Sequence, residues 1–372
     1  MKVLNIVGAR PNFMKIAPIH RAFMKYRDIS SKIVHTGQHY DTRMSGIFFS
    51  QLEMPEPDYF LGIGAGSHAQ QTAGIMLEFE KVIYKEKPDL VLVAGDVNST
   101  LACALVAVKE HIPVAHVEAG LRSGDRRMPE EINRIMTDSV SDHLFVTENA
   151  ALVNLKKENV DESKIHFSGN VMIDSLLYYF PEIRKLNIPE SIGVAPNAYV
   201  LMTMHRPANV DGTEGLKQIL EIVKELALHK NVVFPVHPRT MQHMEIAGLK
   251  KEFENIAGLK MLQPQGYLEF LNLTLHAALV LTDSGGIQEE TTFLQIPCMT
   301  LRETTERPVT VESGTNYLLS RPDRKDVVKL AEAIFAGNAK KGIIPALWDG
   351  KAAERIVSVL REKYINSYVC GN

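Results

Sequence analysis

Twelve short apolar runs, most of them separated by helix-patterned segments, constrain the fold of this chain more than any other feature. Six fall in the first half, at residues 3–7, 31–36, 90–94, 114–117, 143–147 and 165–167. Six fall in the second, at 199–204, 232–236, 260–262, 278–282, 298–301 and 315–318. Between them, residues 15–25, 69–85, 100–110, 131–140 and 216–228 carry the spacing of amphipathic helices. Short apolar runs alternating with helices are the pattern of parallel sheets covered on both faces. A chain of 372 residues exceeds the usual size of one hydrophobic core. The expectation is an α/β protein of two doubly wound, Rossmann-like domains, 1–172 and 173–350. Their join lies near residues 170–196, where Pro181, Pro189 and Pro196 punctuate a mixed helical stretch.

Open parallel sheets bind ligands beyond the carboxyl ends of their strands. The unusual polar residues of this chain fall there. Val7 is followed by Gly8-Ala9-Arg10-Pro11, Thr36 by Gly37-Gln38-His39, Ala94 by Gly95-Asp96, and Val117 by Glu118-Ala119-Gly120. In the second half, Met204 leads to His205-Arg206, Val236 to His237-Pro238, and Thr282 to Asp283-Ser284-Gly285-Gly286. Seven such coincidences drawn from both halves predict a ligand held in a cleft between two sheets. At residues 284–286, small residues turn an apolar strand into a helix. Free backbone N–H groups and the positive end of the helix dipole make such a turn an anion site. Glu290, about one turn into that helix, is placed to reach ribose hydroxyls of a nucleotide. A tight turn without a ligand would use the same residues.

Asp96, Glu118 and Glu130 are the candidate acids and bases. The first two directly follow buried strands, and Glu130 follows a helix-starting Pro129. A first-turn acid also complements a helix dipole, and Asp96 also suits a helix cap. Three carboxyls converging on one sheet edge favour chemistry, because crowding in a partly dry cleft raises carboxyl pKa values. His205 with Arg206 can hold a diphosphate and stabilise it as it leaves. Arg10 and Lys15 are cations near a helix start, the wrong sign for the dipole, and a phosphate would account for them. His116, inside an apolar strand, reads as a satisfied core histidine.

Composition narrows the classes of function. Net charge is -3, with no long basic block, which argues against nucleic acid as a main partner. Cys103, Cys298 and Cys370 are odd in number and far apart, so neither a disulfide framework nor a metal cluster is expected, and the first two read as buried thiols. No Cys pair has metal-ligand spacing and no GxGxxG follows a strand, so neither a metal nor NAD is expected. No apolar run approaches the roughly 20 residues of a membrane span, and Met1 leads straight into strand-like sequence, so a cytoplasmic enzyme is expected.

Together these segments resemble the non-hydrolysing UDP-N-acetylglucosamine 2-epimerase family, from Val3 to about Arg361. Its signature pieces stand here as GARPNFMK (8–15), TGQH (36–39), GDVNST (95–100), HVEAGLRSGD (116–125), PEEINR (129–134), HRPANVD (205–211), DSGGIQEE (283–290) and LRETTERP (301–308). The resemblance implies a glycosyltransferase-B type architecture with the active site between two Rossmann-like domains, and a helix within 351–372 packing back on the first. It implies reversible conversion of UDP-GlcNAc to UDP-ManNAc by a homodimer that needs no cofactor. UDP leaves by anti elimination while a base takes the proton from sugar carbon 2, and then adds back to the 2-acetamidoglucal. On that reading Asp96, Glu118 and Glu130 serve as acids and bases, with His205 and Arg10 at the diphosphate. Ser284, Gly285 and Gly286 would hold phosphate and Glu290 the ribose. Lys15, Gln38, His39, Arg206, Phe270 and Arg307 complete the implied substrate contacts, with the uracil pocket near residues 263–270.

The chain departs from the family's commonest pattern beside the sugar. Where GTRPE is usual, Pro11 is followed by Asn12-Phe13-Met14, GDTTT is here Asp96-Val97-Asn98-Ser99-Thr100, and HRREN is here His205-Arg206-Pro207-Ala208-Asn209. These changes leave open a modified UDP-sugar such as a diacetamido uronate. Bacterial members bind a second, activating UDP-GlcNAc through an Arg-Gln-Thr segment. Gln70-Gln71-Thr72 stands in its place, so this activation is expected to be absent or altered. Rival readings on the same architecture are a glycosyltransferase, a hydrolysing epimerase and an inactive nucleotide-sugar binder. Three carboxyls together with His205 favour the non-hydrolysing epimerase.

Overall fold

The computed structural model describes residues 1–38, 53–320 and 323–366, with all their side chains except those of Arg10 and Asn366. The chain forms two compact units, one comprising Met1–Tyr178 with the chain from Ala346 onward, the other Tyr179–Pro345.

In the first unit the strands are β1 (Lys2–Val7), β2 (Ser30–His35), β3 (Tyr59–Phe60), β4 (Leu90–Ala94), β5 (Val114–Val117), β6 (His143–Val146) and β7 (Ile165–Phe167). Its helices are α1 (Arg10–Phe23), α2 (His68–Glu86), α3 (Asn98–Lys109), α4 (Pro129–Val140), α5 (Asn149–Lys157) and α6 (Val171–Lys185), the last running on into the second unit. The second unit continues with α7 (Ile188–Ser191), β8 (Tyr199–Thr203), α8 (Pro207–Val210), α9 (Thr213–His229), β9 (Asn231–Pro235), α10 (Pro238–Ile246) and α11 (Lys250–Glu254). Then come β10 (Leu259–Leu262), α12 (Tyr267–Leu275), β11 (Leu279–Thr282), α13 (Gly285–Leu294), β12 (Cys298–Leu301), α14 (Pro308–Glu312), β13 (Asn316–Leu319) and α15 (Arg324–Phe335). The returning segment carries α16 (Ala352–Arg361).

The strand order is β3-β2-β1-β4-β5-β6-β7 in the first sheet and β10-β9-β8-β11-β12-β13 in the second. Pairing is parallel throughout the described residues, for example Val3 against Leu90 and Leu279 against Val200. All twelve expected strands are present within a residue or two of their expected bounds. The two-residue edge strand β3 was not expected, because Tyr59 and Phe60 are too few to make a pattern. Helix α1 starts at Arg10, not at 15, since Pro11 suits a first turn and Asn12 closes the preceding turn. The Asn12 side-chain oxygen accepts hydrogen bonds from the Gly8 and Ala9 amides at 3.3 and 2.9 Å. The two units divide at Tyr178–Tyr179, within α6, which runs unbroken past Pro181.

Both cores are those of two-sided sheets. Every residue of β4 is buried. In the first unit Leu4, Ile6, Val91 and Val93 pack with Ile75 and Phe79 of α2 and Ala102 and Cys103 of α3. In the second, Val200, Met202, Leu279 and Leu281 pack with Leu216, Ile219, Leu220 and Val223 of α9. Cys103 and Cys298 are buried thiols, and burial pushes Cys298 up to about 11; Cys370 lies outside the described residues. The returning segment belongs to the first unit. Trp348 is buried and donates through its indole N–H to the Thr147 carbonyl at 3.0 Å. Asp174 of α6 accepts from the Ala352 and Ala353 amides at 3.1 and 2.7 Å, so it caps α16 from outside that helix. Among the described residues no helix is long and apolar enough to cross a membrane.

Candidate active site

Each sheet has one point where the chain leaves its first strand in both directions, between β1 and β4 and between β8 and β11. Loops diverge there and open a crevice at the carboxyl edge.

At the first point, Gly8-Ala9-Arg10 follows β1 and Gly95-Asp96 follows β4. Asp96 is held on every side. Its carboxylate meets the Arg134 guanidinium at 2.6 Å, and its carbonyl accepts from the Asn133 side chain at 2.9 Å. The Gly95 carbonyl accepts from His116 Nε2 at 2.8 Å, and the Ala94 carbonyl accepts from Asn12 and Thr100 at 2.7 and 2.9 Å. Side-chain donors therefore grip three successive carbonyls beyond the buried strand.

Glu118 is buried and forms an ion pair with the buried Lys15 ammonium. That pair supplies a partner for Lys15, where the sequence suggested a phosphate. The backbone of Glu118 is left-handed, with φ 70°. A side chain in that region costs roughly 1 kcal/mol or more. Gln38 is buried beside β2, and its side-chain oxygen accepts from the Ser99 amide and hydroxyl at 3.0 and 2.6 Å. Glu130 lies half-buried in the first turn of α4. Arg10 opens α1, and His39 lies outside the described residues.

Helix α4 braces this edge with charge rather than with apolar side chains. Glu131, Arg134 and Asp138 are spaced one and two turns apart, and all three are 2 % exposed. Glu131 accepts from the Ser123 and Gly124 amides, both at 2.9 Å, and pairs with Arg134 at 2.7 Å. Such buried charges persist only where paired and hydrogen-bonded.

At the second point Asp283, wholly buried, ties two loops together. Its carboxylate accepts from the His205 amide at 3.0 Å, the Arg206 amide at 2.9 Å and the Asn209 side chain at 2.9 Å. It also faces His205 Nδ1 at 3.1 Å. Burial alone would raise this carboxyl, but His205, Asn209 and the Arg206 amide hold it below the ordinary value. Ser284 is the N-cap of α13, followed by Gly285 and Gly286. A Cβ on Gly285 would stand 2.7 Å from both Arg307 and Glu306, whereas one on Gly286 would meet nothing within 4 Å. Arg307 is buried, paired with Glu289 at 2.9 Å and with Glu306, so it forms the wall behind Gly285. Glu290 is buried in α13, and half-buried Phe270 packs on the cluster of Val194, Tyr199 and Leu201.

Asn12, Asn133, Arg134, Asp138, Asp283 and Ser99 have structural roles at the site that sequence reasoning misses, although most lie inside the family's signature segments. One signal was available. Charged residues at 131, 134 and 138 share one face of a helix lying between two buried strands, which is unusual for a solvated face. His116 is the satisfied core histidine expected, with Asp138 at Nδ1 (2.6 Å) and the Gly95 carbonyl at Nε2.

Residues 21–361 match the family model described as UDP-N-acetylglucosamine 2-epimerase. The chain belongs to that family. It is 44% identical to the UDP-N-acetylglucosamine 2-epimerase of Methanocaldococcus jannaschii, over 97% of this chain and 99% of that protein. A crystal structure of that relative in complex with UDP-GlcNAc and UDP matches with a TM-score of 0.90, covering 97% of this chain and 100% of the other. A Pseudomonas aeruginosa relative, UDP-2,3-diacetamido-2,3-dideoxy-D-glucuronate 2-epimerase, is 43% identical over 97% of this chain and 99% of its own length. The lipopolysaccharide outer core galactosyltransferase WaaB, 14% identical with a TM-score of 0.56 over 98% of this chain and all of that one, shares the fold alone, which is of the glycosyltransferase-B type. Of the residues singled out in the sequence, Asp96, Glu118, Lys15 and Gln38 lie at the first crevice. His205, Arg206, Ser284, Gly285 and Gly286 gather at the second. Phe270 contributes to the packing of α12.

Proposed function

We propose that this enzyme interconverts UDP-GlcNAc and UDP-ManNAc without hydrolysis. The proton on sugar carbon 2 passes to a protein base, the bond from carbon 1 to the UDP oxygen breaks, and 2-acetamidoglucal and UDP remain bound. A proton is then delivered to the opposite face of carbon 2, and UDP re-forms its bond to carbon 1. Atoms and charge balance, and neither an oxidant nor a metal is required. What carries the reading is the pair of carboxylates, Asp96 and Glu118, that follow β4 and β5 in a chain of this family, with Glu130 read as the third. Elimination and re-addition need acids and bases on both ring faces and a positive clamp on the departing diphosphate. In this reading His205, Arg206, Arg10 and the Ser284–Gly286 turn form the clamp, and Asp283 orients His205. Glu290 binds ribose. The reading includes action in the cytoplasm and a homodimer, the latter checked by sedimentation of the purified protein.

The test is NMR of the enzyme with UDP-GlcNAc in heavy water. UDP-ManNAc carrying deuterium at carbon 2 supports the proposal. Free ManNAc with UDP points to hydrolysis, and no reaction sinks UDP-GlcNAc as substrate. A second substrate is specifically favoured, because the Pseudomonas relative is as similar as the Methanocaldococcus one. The diacetamido glucuronate nucleotide belongs in the same experiment, and the larger kcat/KM assigns the sugar.

A further inference from the structure

A buried pair is bonded to the backbone beside Asp96 and beside Glu118. His116 in β5 is fully buried, and its Nδ1 is hydrogen-bonded to Asp138 Oδ1 at 2.6 Å. Its Nε2 donates to the Gly95 carbonyl at 2.8 Å, one peptide before Asp96. The other oxygen of Asp138 accepts from the Gly120 amide at 3.0 Å and meets Arg122 at 2.7 Å. Arg122 in turn pairs with Glu158 at 2.7 Å. Asp138 thus grips the chain on both sides of Glu118, at residues 116 and 120, across the stretch where Glu118 is held left-handed. Gly120 itself has φ 78°, and a Cβ there would lie 2.6 Å from the Ala151 carbonyl, so the turn has one permitted path.

A couple used only for stability would need no such reach. Apolar residues of similar volume fill a core at less desolvation cost than a buried imidazole and carboxylate. Here the two outward polar atoms of the pair, His116 Nε2 and Asp138 Oδ2, end on the backbone of a carboxylate-bearing turn or on the balancing charge of Arg122. We propose that His116 and Asp138 are positioning residues for proton transfer, acting through the Gly95 carbonyl and the Gly120 amide to fix the backbones that present Asp96 and Glu118 to the sugar. This rests on the reading of Asp96 and Glu118 as the acid/base groups.

Isosteric variants separate the two ends of the couple. Gln in place of His116 puts an amide donor where Nε2 stands, toward Gly95, and Asn puts one where Nδ1 stands, toward Asp138. Purified H116Q, H116N and D138N are compared with wild type for thermal unfolding, kcat and KM with UDP-GlcNAc and the diacetamido uronate nucleotide. A misplacement of about 1 Å costs on the order of 100-fold in rate. H116N, which loses the Gly95 link, is expected to lower kcat at least ~30-fold with KM changed by less than ~3-fold, while remaining folded at the assay temperature. H116Q, which keeps that link, is expected to be at least ~5-fold more active than H116N whatever their order of stability. D138N keeps an acceptor for Gly120 and loses the charge, and is expected to lower kcat by ~10-fold or more. Equal activity of H116Q and H116N overturns the proposal. So does a loss that tracks the unfolded fraction, or one that appears in KM instead of kcat. Wild-type inactivity on both nucleotides removes the epimerase reading itself and the couple's role with it, an outcome distinct from active wild type with indifferent variants.

Discussion

Asp283 has no exposed surface, yet it receives bonds from two backbone amides and one side chain besides facing the His205 ring. One carboxylate therefore sets both where the β8 turn lies and which imidazole nitrogen is taken. Asp283→Asn keeps the volume and weakens the hold on the ring. Turnover is expected to fall ~10- to 100-fold, against ~100-fold or more for His205→Ala or Asp96→Asn, as measured by steady-state kinetics on folded protein. Near-normal turnover of any of these would remove that residue from the site. The neighbouring glycines separate a packing role from a binding one. Gly285→Ala forces its Cβ against Arg307 and Glu306 and is expected to lower the melting temperature, overpacking costing about 1–3 kcal/mol. Gly286→Ala meets open space, so its melting temperature is expected to hold while KM for the UDP-sugar rises, because a methyl group stands where phosphate would approach a helix N-terminus. Equal melting temperatures for the two variants would contradict this division.

At the scale of elements, α4 departs furthest from the usual economy of a covered helix. Its inner face carries Glu131, Arg134 and Asp138 instead of aliphatic side chains. Arg134 bridges Asp96 and Glu131, so Arg134→Ala leaves two carboxylates beside each other without their cation. We expect a loss of about 3–5 kcal/mol in chemical denaturation together with loss of turnover. A variant of wild-type stability would show that water replaces the guanidinium. Helix α4 also marks where sequence stopped being legible. Strand ends could be read because buried strands are unbroken apolar runs and the residue after each is plainly polar, so Asp96, Glu118, His205 and Asp283-Ser284-Gly285-Gly286 stood out. Arg134 could not be matched to Asp96, 38 positions away, nor Asp138 to His116, 22 positions away, because apolar periodicity says nothing about which charges meet. Lys15, a cation at a helix start, suggests a phosphate from sequence, and its ion-pair partner Glu118 lies on a different strand end. The departure of Asn12 from the family's usual glutamate becomes intelligible in three dimensions. An amide both accepts from the Gly8 and Ala9 amides and donates to the Ala94 carbonyl, and a carboxylate could not donate.

For the whole molecule, buried titratable groups predict a direction for acid stability. Burial depresses His35 to about 4 and His143 to about 4, the latter helped by His166. Each histidine is neutral in the fold, so its contribution is present above the unfolded value of 6.5 and is lost as pH falls toward 4. Asp174 runs the other way. Burial raises it to about 6, so its contribution is present below 3.8 and is lost as pH rises through 6. The three shifts are of similar size, roughly 3 kcal/mol each. Two histidines outweigh one aspartate, and stability is expected to be lower at pH 4.5 than at pH 7 by about 3 kcal/mol, read from guanidinium unfolding at the two pH values. Equal or greater stability at pH 4.5 would mean that these histidines open to solvent before they titrate.

Trp348 is the only tryptophan in the chain, and it sits in the segment that returns to the first unit after the second has been completed. A ribosome makes every strand of the first sheet, and the whole of the second, before this indole exists. Until then the first unit lacks the side chains of Trp348, Ile356 and Leu360, so its hydrophobic interior stays unfinished while its neighbour can already fold. The one tryptophan of the chain thus lies in the segment that completes the first unit last. Its emission, blue-shifted when the indole is buried out of water, reports whether the tail of the chain has found its place.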